Sequence, residues 1–324
     1  MNPVVTEEFF IPSDSENLNL FVRNKRLKDH DTFRAEKAIL FVAGAAYPAS
    51  TTFDLALGGT SWMDHLARTG YDTYLVDVRG YGRSDRPAEM DEPAQNNLPI
   101  VRTEVAVGDV KSAIDFICRK RAISALNLIG WSWGTSLMAR YTIANVQTVN
   151  KLVLVAPQWL RMTPSLADDG GTLGAYRLVT RSSTKGRWLN GVPEHKREKI
   201  LPTDWFDAWA DATFQTEPQG DRTGYKTLRA PNGTVADSRE FWASGKPLYN
   251  PSDITVPVMI IHGEWDQDCP LDMSRAVFSK LKAAPYKRWV EVGEATHCLF
   301  MESGRWQVFN SVRSFFDEVP PDGI

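Results

Sequence analysis

Leu126-Asn127-Leu128-Ile129-Gly130-Trp131-Ser132-Trp133-Gly134-Thr135 is the stretch on which the reading of this chain turns. Four residues of buried-strand character run into a G-x-S-x-G pentapeptide, and a helix-type segment follows from Thr135 to Ala144. By composition alone, such a pentapeptide turns up by chance in roughly one chain in ten of this length. Its placement gives it weight, because a sharp strand-to-helix turn lifts one hydroxyl above a sheet. The flanking glycines leave space where a larger side chain would collide with the neighbouring helix and strand. Trp133 follows the serine at a helix N-terminus, where its backbone N–H can serve an oxyanion. A plainer reading is a glycine-rich turn with a helix-capping serine, and the pentapeptide alone leaves both open.

Working outward, short β-branched or apolar runs alternate with helix-type segments. Ile39–Val42, Thr73–Asp77, Leu126–Ile129 and Leu152–Val155 read as strands buried on both faces, and Ser61–Arg68 and Arg102–Arg119 as helices between them. That alternation predicts an α/β fold with a mostly parallel, doubly covered sheet. Glu8–Pro12 and Leu18–Arg23 read as a leading hairpin. From about Pro157 to Pro251 the stretch is rich in tryptophan, glycine and Asp-Gly turns and has no convincing strand run. Strand and helix signals resume with Val256–Ile261, Met273–Lys282, Arg288–Val292 and Trp306–Phe316. The expected organisation is a core over 1–156 and 252–324, interrupted by a mainly helical cap over 157–251.

Composition narrows the function classes. With 324 residues and 43% hydrophobic content the chain can bury a large core, which excludes global disorder. The 37 basic and 40 acidic residues leave a net charge of −3, so no basic field exists to neutralise phosphates, and nucleic acid is not an expected partner. No apolar run approaches the ~20 residues of a membrane helix. The acidic N-terminus has no signal-peptide character, so a cytoplasmic location without membrane partners is expected. Three cysteines, with no C-x-x-C pair, fit neither a disulfide framework nor a zinc site. No metal and no organic cofactor is implied.

A serine nucleophile needs a base, and the chain has five histidines. His30 lies in a charged loop, His65 in the helix over 62–68, and His195 in the charged run Glu194–Glu198. His262 ends an apolar strand and reads as a satisfied core or rim histidine. His297 follows a strand and a glycine-containing turn (Val290–Thr296), where a loop can carry it back to the serine. The orienting carboxylate belongs on another loop at the same sheet edge, and the segment ending the strand over 256–261 offers Glu264, Asp266 and Asp268. Asp266 is the expected one, one turn past the strand end; the other two read as solvated or loop-stabilising. No carboxylate follows the strand ending at Val155, where Ala156-Pro157-Gln158-Trp159 stands. The order Ser132, Asp266, His297 is that expected of a G-x-S-x-G elbow on this kind of sheet.

Together these residues resemble the α/β-hydrolase superfamily, over most of the chain outside the cap. Asp77-Val78-Arg79-Gly80-Tyr81-Gly82-Arg83-Ser84 looks like the D-x-R-G-x-G-x-S segment of capped members, and Ile261–Asp266 and Thr296-His297 like the acid and base segments. Two departures matter. Many relatives carry His-Gly after the third strand, where this chain has Ala43-Gly44-Ala45; the oxyanion donor there is a backbone N–H, so Ala45 can still supply it beside Trp133. Relatives that open epoxides or remove halide carry aspartate at the elbow, and Ser132 argues against both chemistries.

The resemblance implies a serine hydrolase working through an acyl-enzyme. Trp159, Trp188, Trp205, Trp209 and Trp242 in the cap suggest a small-molecule ester or lactone with a bulky apolar or aromatic part, although an irregular cap also needs aromatics for its own core. Trp131 and Trp133 beside the nucleophile, Tyr47 near the oxyanion loop, and Trp159 are the expected substrate contacts. The same triad resembles that of C–C bond hydrolases acting on diketones; Ala43 in place of the usual histidine leaves open a member that adds or removes a small molecule without hydrolysis, and a ligand-binding protein without turnover is the third alternative. Cys269 and Cys298 read as buried inert thiols, Lys185–Arg197 as a solvated cap face, and Pro320–Ile324 as a frayed end. The apolar side chains of the cap suit a dimer contact as well as a pocket, so the sequence assigns no oligomeric state.

Overall fold

The computed structural model describes residues 3–220 and 224–319. The expected fraying at Pro320–Ile324 lies outside the described residues. Strands β1 (Val4–Pro12), β2 (Asn19–Leu27), β3 (Ala38–Val42), β4 (Asp72–Val76), β5 (Leu126–Trp131), β6 (Val149–Val155), β9 (Val258–Gly263) and β10 (Lys287–Val292) make one eight-stranded sheet. Its order is β1-β2-β4-β3-β5-β6-β9-β10. The leading hairpin joins antiparallel, while β4, β3, β5, β6, β9 and β10 run parallel. The four strands expected to be buried on both faces are, apart from one residue at the start of β6. This is the pattern of a parallel sheet covered by helices.

The helices follow their sequence signals. Helix α2 (Trp62–Arg68) starts at Ser61, whose Oγ accepts from the Asp64 N–H in a capping box. Helix α3 (Thr103–Arg121) buries Ala106, Val110, Ala113, Ile114 and Ile117, and stops at Ala122, which takes the left-handed conformation at φ 52°. Val105 on the same helix is exposed. Helix α4 (Trp133–Ala144) leaves the serine turn directly.

Between β6 and β9 the chain leaves the sheet. Helices α5 (Arg181–Trp188), α6 (Arg197–Ile200) and α7 (Thr203–Phe214) form there. Strands also form, contrary to expectation: β7 (Tyr176–Thr180) pairs antiparallel with β8 (Thr227–Pro231). Each is only five residues long and carries an arginine inside it, so neither shows a run of strand-forming residues until the ladder joins them. The segment packs on the core through a Tyr47–Trp209 edge contact at 4.9 Å and a Thr51–Thr213 hydroxyl bond at 2.8 Å. Its tryptophans mostly fill its own interior: Trp209 and Trp242 are fully buried, and Trp188 stands edge-on to Trp209.

Candidate active site

Ser132 sits between β5 and α4 at φ 55° and ψ −121°, a backbone conformation that non-glycine residues rarely adopt. Its surroundings hold it there. A Cβ on Gly130 would meet the Gly134 carbonyl oxygen at 2.4 Å, and one on Gly134 would meet the Val42 carbonyl oxygen at 2.4 Å. Both flanking positions therefore exclude any side chain, as the pentapeptide implied. The Ser132 N–H donates to the Val155 carbonyl (2.9 Å), and the Ser132 carbonyl accepts from the Thr135 N–H (2.9 Å) and hydroxyl (2.5 Å). The strain at Ser132 is thus offset on both sides of the residue.

Gly44 lies against the serine, since a Cβ there would stand 2.8 Å from Ser132 Cβ. The loop carrying Gly44 and Ala45 is supported from behind. Asp77 accepts from the Ser50 N–H and hydroxyl (both 2.9 Å) and from the Arg83 N–H (3.0 Å). The second glycine of the D-x-R-G-x-G-x-S segment makes this possible: Gly82 has φ 56°, and a Cβ on it would fall 2.0 Å from Asp77 Oδ2. The support comes from the Asp77 turn, with alanine buried at position 43.

His297 and Asp266 meet as the sequence reading anticipated. His297 Nδ1 lies 2.8 Å from Asp266 Oδ2, and Asp266 Oδ1 accepts from the N–H groups of Asp268 and Cys269 (both 2.9 Å). Because both carboxylate oxygens accept, Nδ1 carries the proton and Nε2 is left able to accept one. Burial opposes the imidazolium, but Asp266 and Asp268 outweigh it, so the His297 pKa is raised. Ser132 and His297 line one cavity together with Ala45, Tyr47, Trp131, Trp133 and Cys298. The Ser132 hydroxyl forms no hydrogen bond with His297 among the described residues; such contacts are often long before substrate binds.

The other histidines are accounted for separately. His262 is fully buried on β9, with Nδ1 2.8 Å from the Ser274 hydroxyl. His30 stacks on Phe33, His65 packs in α2 against Trp306, and His195 is exposed. Glu264 caps its neighbouring loop by accepting from the Glu294 N–H (2.8 Å), so it stabilises the loop as expected.

Of the four expected contacts, three line the cavity and Trp159 does not. Trp131 projects from the end of β5 beneath the base: its indole N–H donates to the His297 carbonyl oxygen (2.8 Å), and its ring stands edge-on to Phe300. The Trp133 indole N–H reaches away to the Thr103 hydroxyl (2.9 Å). Both still contribute atoms to the cavity wall. Trp159 does not line it; the ring packs on Tyr249 at 4.8 Å, where aromatic packing outcompetes the cavity. Tyr47 does line it, donating its hydroxyl to Thr184 Oγ1 (3.0 Å).

Two charged residues stand elsewhere than their sequence context implies. Arg187 belongs to the Lys185–Arg197 run, expected to be solvated, yet it lies on the cavity wall with Nε 2.6 Å from Asp268 Oδ1. Asp268, expected to be solvated or loop-stabilising, is buried and also lines the cavity. Burial raises the Asp268 pKa, but Arg187 and His297 lower it further, so the net shift is downward. The signal was present as a charge on each side of the insertion, but pairing them requires bringing residues 187 and 268 together. Glu302 was missed altogether. Its carboxylate accepts from the Thr296 N–H (3.0 Å), the Thr296 hydroxyl and the Trp188 indole N–H (2.9 Å), so it clamps α5 to the histidine loop. Burial pushes its pKa up to about 7. Cys269 and Cys298 are buried, and burial holds both thiols well above their ordinary pKa, as expected of inert cysteines.

Among the described residues no cluster of metal-ligating side chains occurs, and no helix is long and apolar enough to cross a membrane.

Comparison with known proteins agrees with this architecture. The family model described as alpha/beta hydrolase fold matches residues 55–304. A 2-hydroxy-6-oxononadienedioate/2-hydroxy-6-oxononatrienedioate hydrolase from Cupriavidus pinatubonensis is 21% identical over 272 residues, covering 80% of each chain. Among solved structures, a 2-hydroxy-6-oxo-6-phenylhexa-2,4-dienoate hydrolase from a Rhodococcus species superposes with TM-score 0.62 at 16% identity, over 97% of this chain and 99% of that one. An esterase from Exiguobacterium antarcticum superposes with TM-score 0.58 at 17% identity, over 96% of this chain and all of that one (100%). With its eight-stranded sheet, its serine elbow and a family match spanning most of its length, this chain belongs to the α/β hydrolase fold family.

Proposed function

We propose that the chain is a serine hydrolase of small organic acids that cleaves the C–C bond beside a ketone in a diketone-type substrate. Ser132 is the nucleophile and His297 the general base; Asp266 holds the imidazole tautomer and stabilises its charged form. The backbone N–H groups of Ala45 and Trp133 receive the oxyanion, each such donor being worth about 3–4 kcal/mol. His297 Nε2 takes the serine proton as Oγ adds to the ketone carbon. It then gives that proton to the departing enolate carbon as the C–C bond breaks, leaving an acyl-serine. Water, deprotonated by His297, adds to the acyl carbon, and His297 returns that proton to Ser132 Oγ as the acyl–oxygen bond breaks and the acid is released.

The observation that carries this reading is the cavity itself, which joins Ser132 and His297 to the Arg187–Asp268 pair. Of the cap tryptophans offered for an apolar pocket, only Trp188 lines it, whereas Gln158, Ser165, Thr184, Arg187 and Thr234 do. A guanidinium set in a largely apolar wall suits a substrate that joins one acid group to an apolar remainder. The relatives named for dienoate cleavage are in keeping with this. Hydrolysis of an ester or lactone is the second reading, supported by the same Ser132–His297–Asp266 machinery.

The test is consumption of 2-hydroxy-6-oxo-6-phenylhexa-2,4-dienoate, followed by loss of its absorbance, beside hydrolysis of p-nitrophenyl butyrate. Wild type, Ser132→Ala and Arg187→Gln are compared. The expected result is dienoate turnover abolished by Ser132→Ala, with KM raised by Arg187→Gln. Ester turnover with the dienoate untouched selects the second reading. A folded wild type that turns over neither and resists labelling by a fluorophosphonate overturns the serine mechanism and leaves a binding role.

A further inference from the structure

We propose that the chamber outside the catalytic cavity is a second anion subsite built on Arg177, so that the substrate carries a carboxylate at its distal end as well as near the scissile bond. This rests on the organic-acid reading above and extends it to dianions. The chamber shares Tyr47, Ala167, Thr184 and Arg187 with the cavity that holds Ser132, so one elongated ligand can occupy both. Arg177 and Asn190 line only the outer part.

Arg177 differs from its neighbour in how its charge is met. Arg187 is paired with Asp268. Arg177 Nη1 donates to the Pro231 carbonyl (2.9 Å) and to Asn232 Oδ1 (3.3 Å), both neutral. Its Nη2 is shielded from solvent and has no hydrogen-bond partner, and no carboxylate lies within ion-pair distance among the described residues. Burial correspondingly pushes its pKa down. A shielded guanidinium with an idle N–H face is costly unless an anion completes it. Asp169 also lines the chamber, but it is exposed and makes no ion pair with Arg177.

The cation is also well fixed. Arg177 lies opposite Ala230 in the β7–β8 ladder, and its Nη1 bonds reach the end of β8. A guanidinium held by a strand and two acceptors loses little entropy when it takes a carboxylate bidentately. Arg187 lines both spaces, so a ligand that reaches Arg177 from the serine passes it.

The probes are adipate and hexanoate, which have equal chain length and differ by one carboxylate. Two readouts are used: protection of Ser132 from fluorophosphonate labelling, and the shift in Tm. Wild type should be protected by adipate at a concentration at least ten-fold lower than by hexanoate, and only adipate should raise Tm clearly. Arg177→Gln should erase the difference while leaving protection by hexanoate unchanged, which also shows that the inner cavity is intact. Arg177→Lys should retain part of the adipate preference. An adipate preference that survives Arg177→Gln, or that is missing from wild type, overturns the proposal. If the serine resists labelling altogether, the serine mechanism fails separately, and the Tm arm alone decides whether Arg177 binds the second carboxylate.

Discussion

The indole N–H of Trp131 donates to the carbonyl oxygen of His297 at 2.8 Å, so the residue directly before the serine holds the loop that carries the histidine. The bond crosses 166 residues of sequence and is buried. It links the strand end and the loop whose separation sets the distance between Ser132 and His297. A shift of the histidine loop must therefore strain or break it, which makes Trp131 a positioning residue.

Replacing Trp131 by Phe keeps an aromatic ring but leaves the His297 carbonyl without its donor. An unsatisfied buried acceptor costs about 1–3 kcal/mol, and the smaller ring loosens the contact with Phe300. Trp131→Phe should lower Tm and reduce kcat on any turned-over substrate more than it raises KM. A variant with lowered Tm and unchanged kcat would show that the bond serves stability alone.

The rate should depend on the state of His297. Only the neutral imidazole can take the serine proton, and Asp266 and Asp268 raise its pKa above the ordinary 6.5 despite burial. Activity should therefore rise with pH through an inflection above 6.5. Asp268→Asn removes one of those anions and leaves Arg187 unneutralised nearby, and both changes disfavour the imidazolium. The inflection in kcat/KM should move to lower pH. An inflection that stays in place would remove Asp268 from the electrostatics of the base.

Glu302 should make stability depend on pH in a distinctive window. Its pKa is raised from 4.5 to about 7 by burial, so between these values the folded state holds a proton that the unfolded state has lost. Stability contributed at this site is present below about 4.5 and falls as pH rises to about 7, by up to about 3 kcal/mol. Glu302→Gln is destabilised because its amide NH2 faces donors from Thr296 and Trp188. The gap between variant and wild type should narrow as pH rises through that window, as measured by urea unfolding at several pH values. A constant gap would place the Glu302 pKa near its ordinary value.

Much of this site could be read along the chain. The serine turn was legible because its determinants lie within five residues: two glycines whose absent Cβ atoms make room for a neighbouring backbone oxygen, and a strained serine between them. Asp266 and His297 were legible because each lies a fixed short distance past a strand end, and parallel strands deliver such ends to one edge. The insertion was read less well. Trp159, expected at the substrate, packs on Tyr249; Arg187, expected in solvent, faces Asp268; and β7 and β8 carry no run of strand-forming residues to announce them.

Sequence by itself therefore determined the sheet, the serine turn and the order of Ser132, Asp266 and His297 along it, because hydrophobic periodicity and glycine sterics act between residues close in the chain. Only the tertiary structure decided which charges face the cavity, that Trp131 and Glu302 brace the histidine loop, and that Arg177 is left without a counter-ion among the described residues. Those outcomes depend on contacts between residues far apart in the chain, such as the pairings of Arg187 with Asp268 (81 apart), Trp188 with Glu302 (114 apart) and Trp131 with His297 (166 apart). The paired β7 and β8 residues Tyr176 and Pro231, and Thr180 and Thr227, belong to the same class. A side chain's partner at such range is set by how whole elements pack, and no local pattern encodes it.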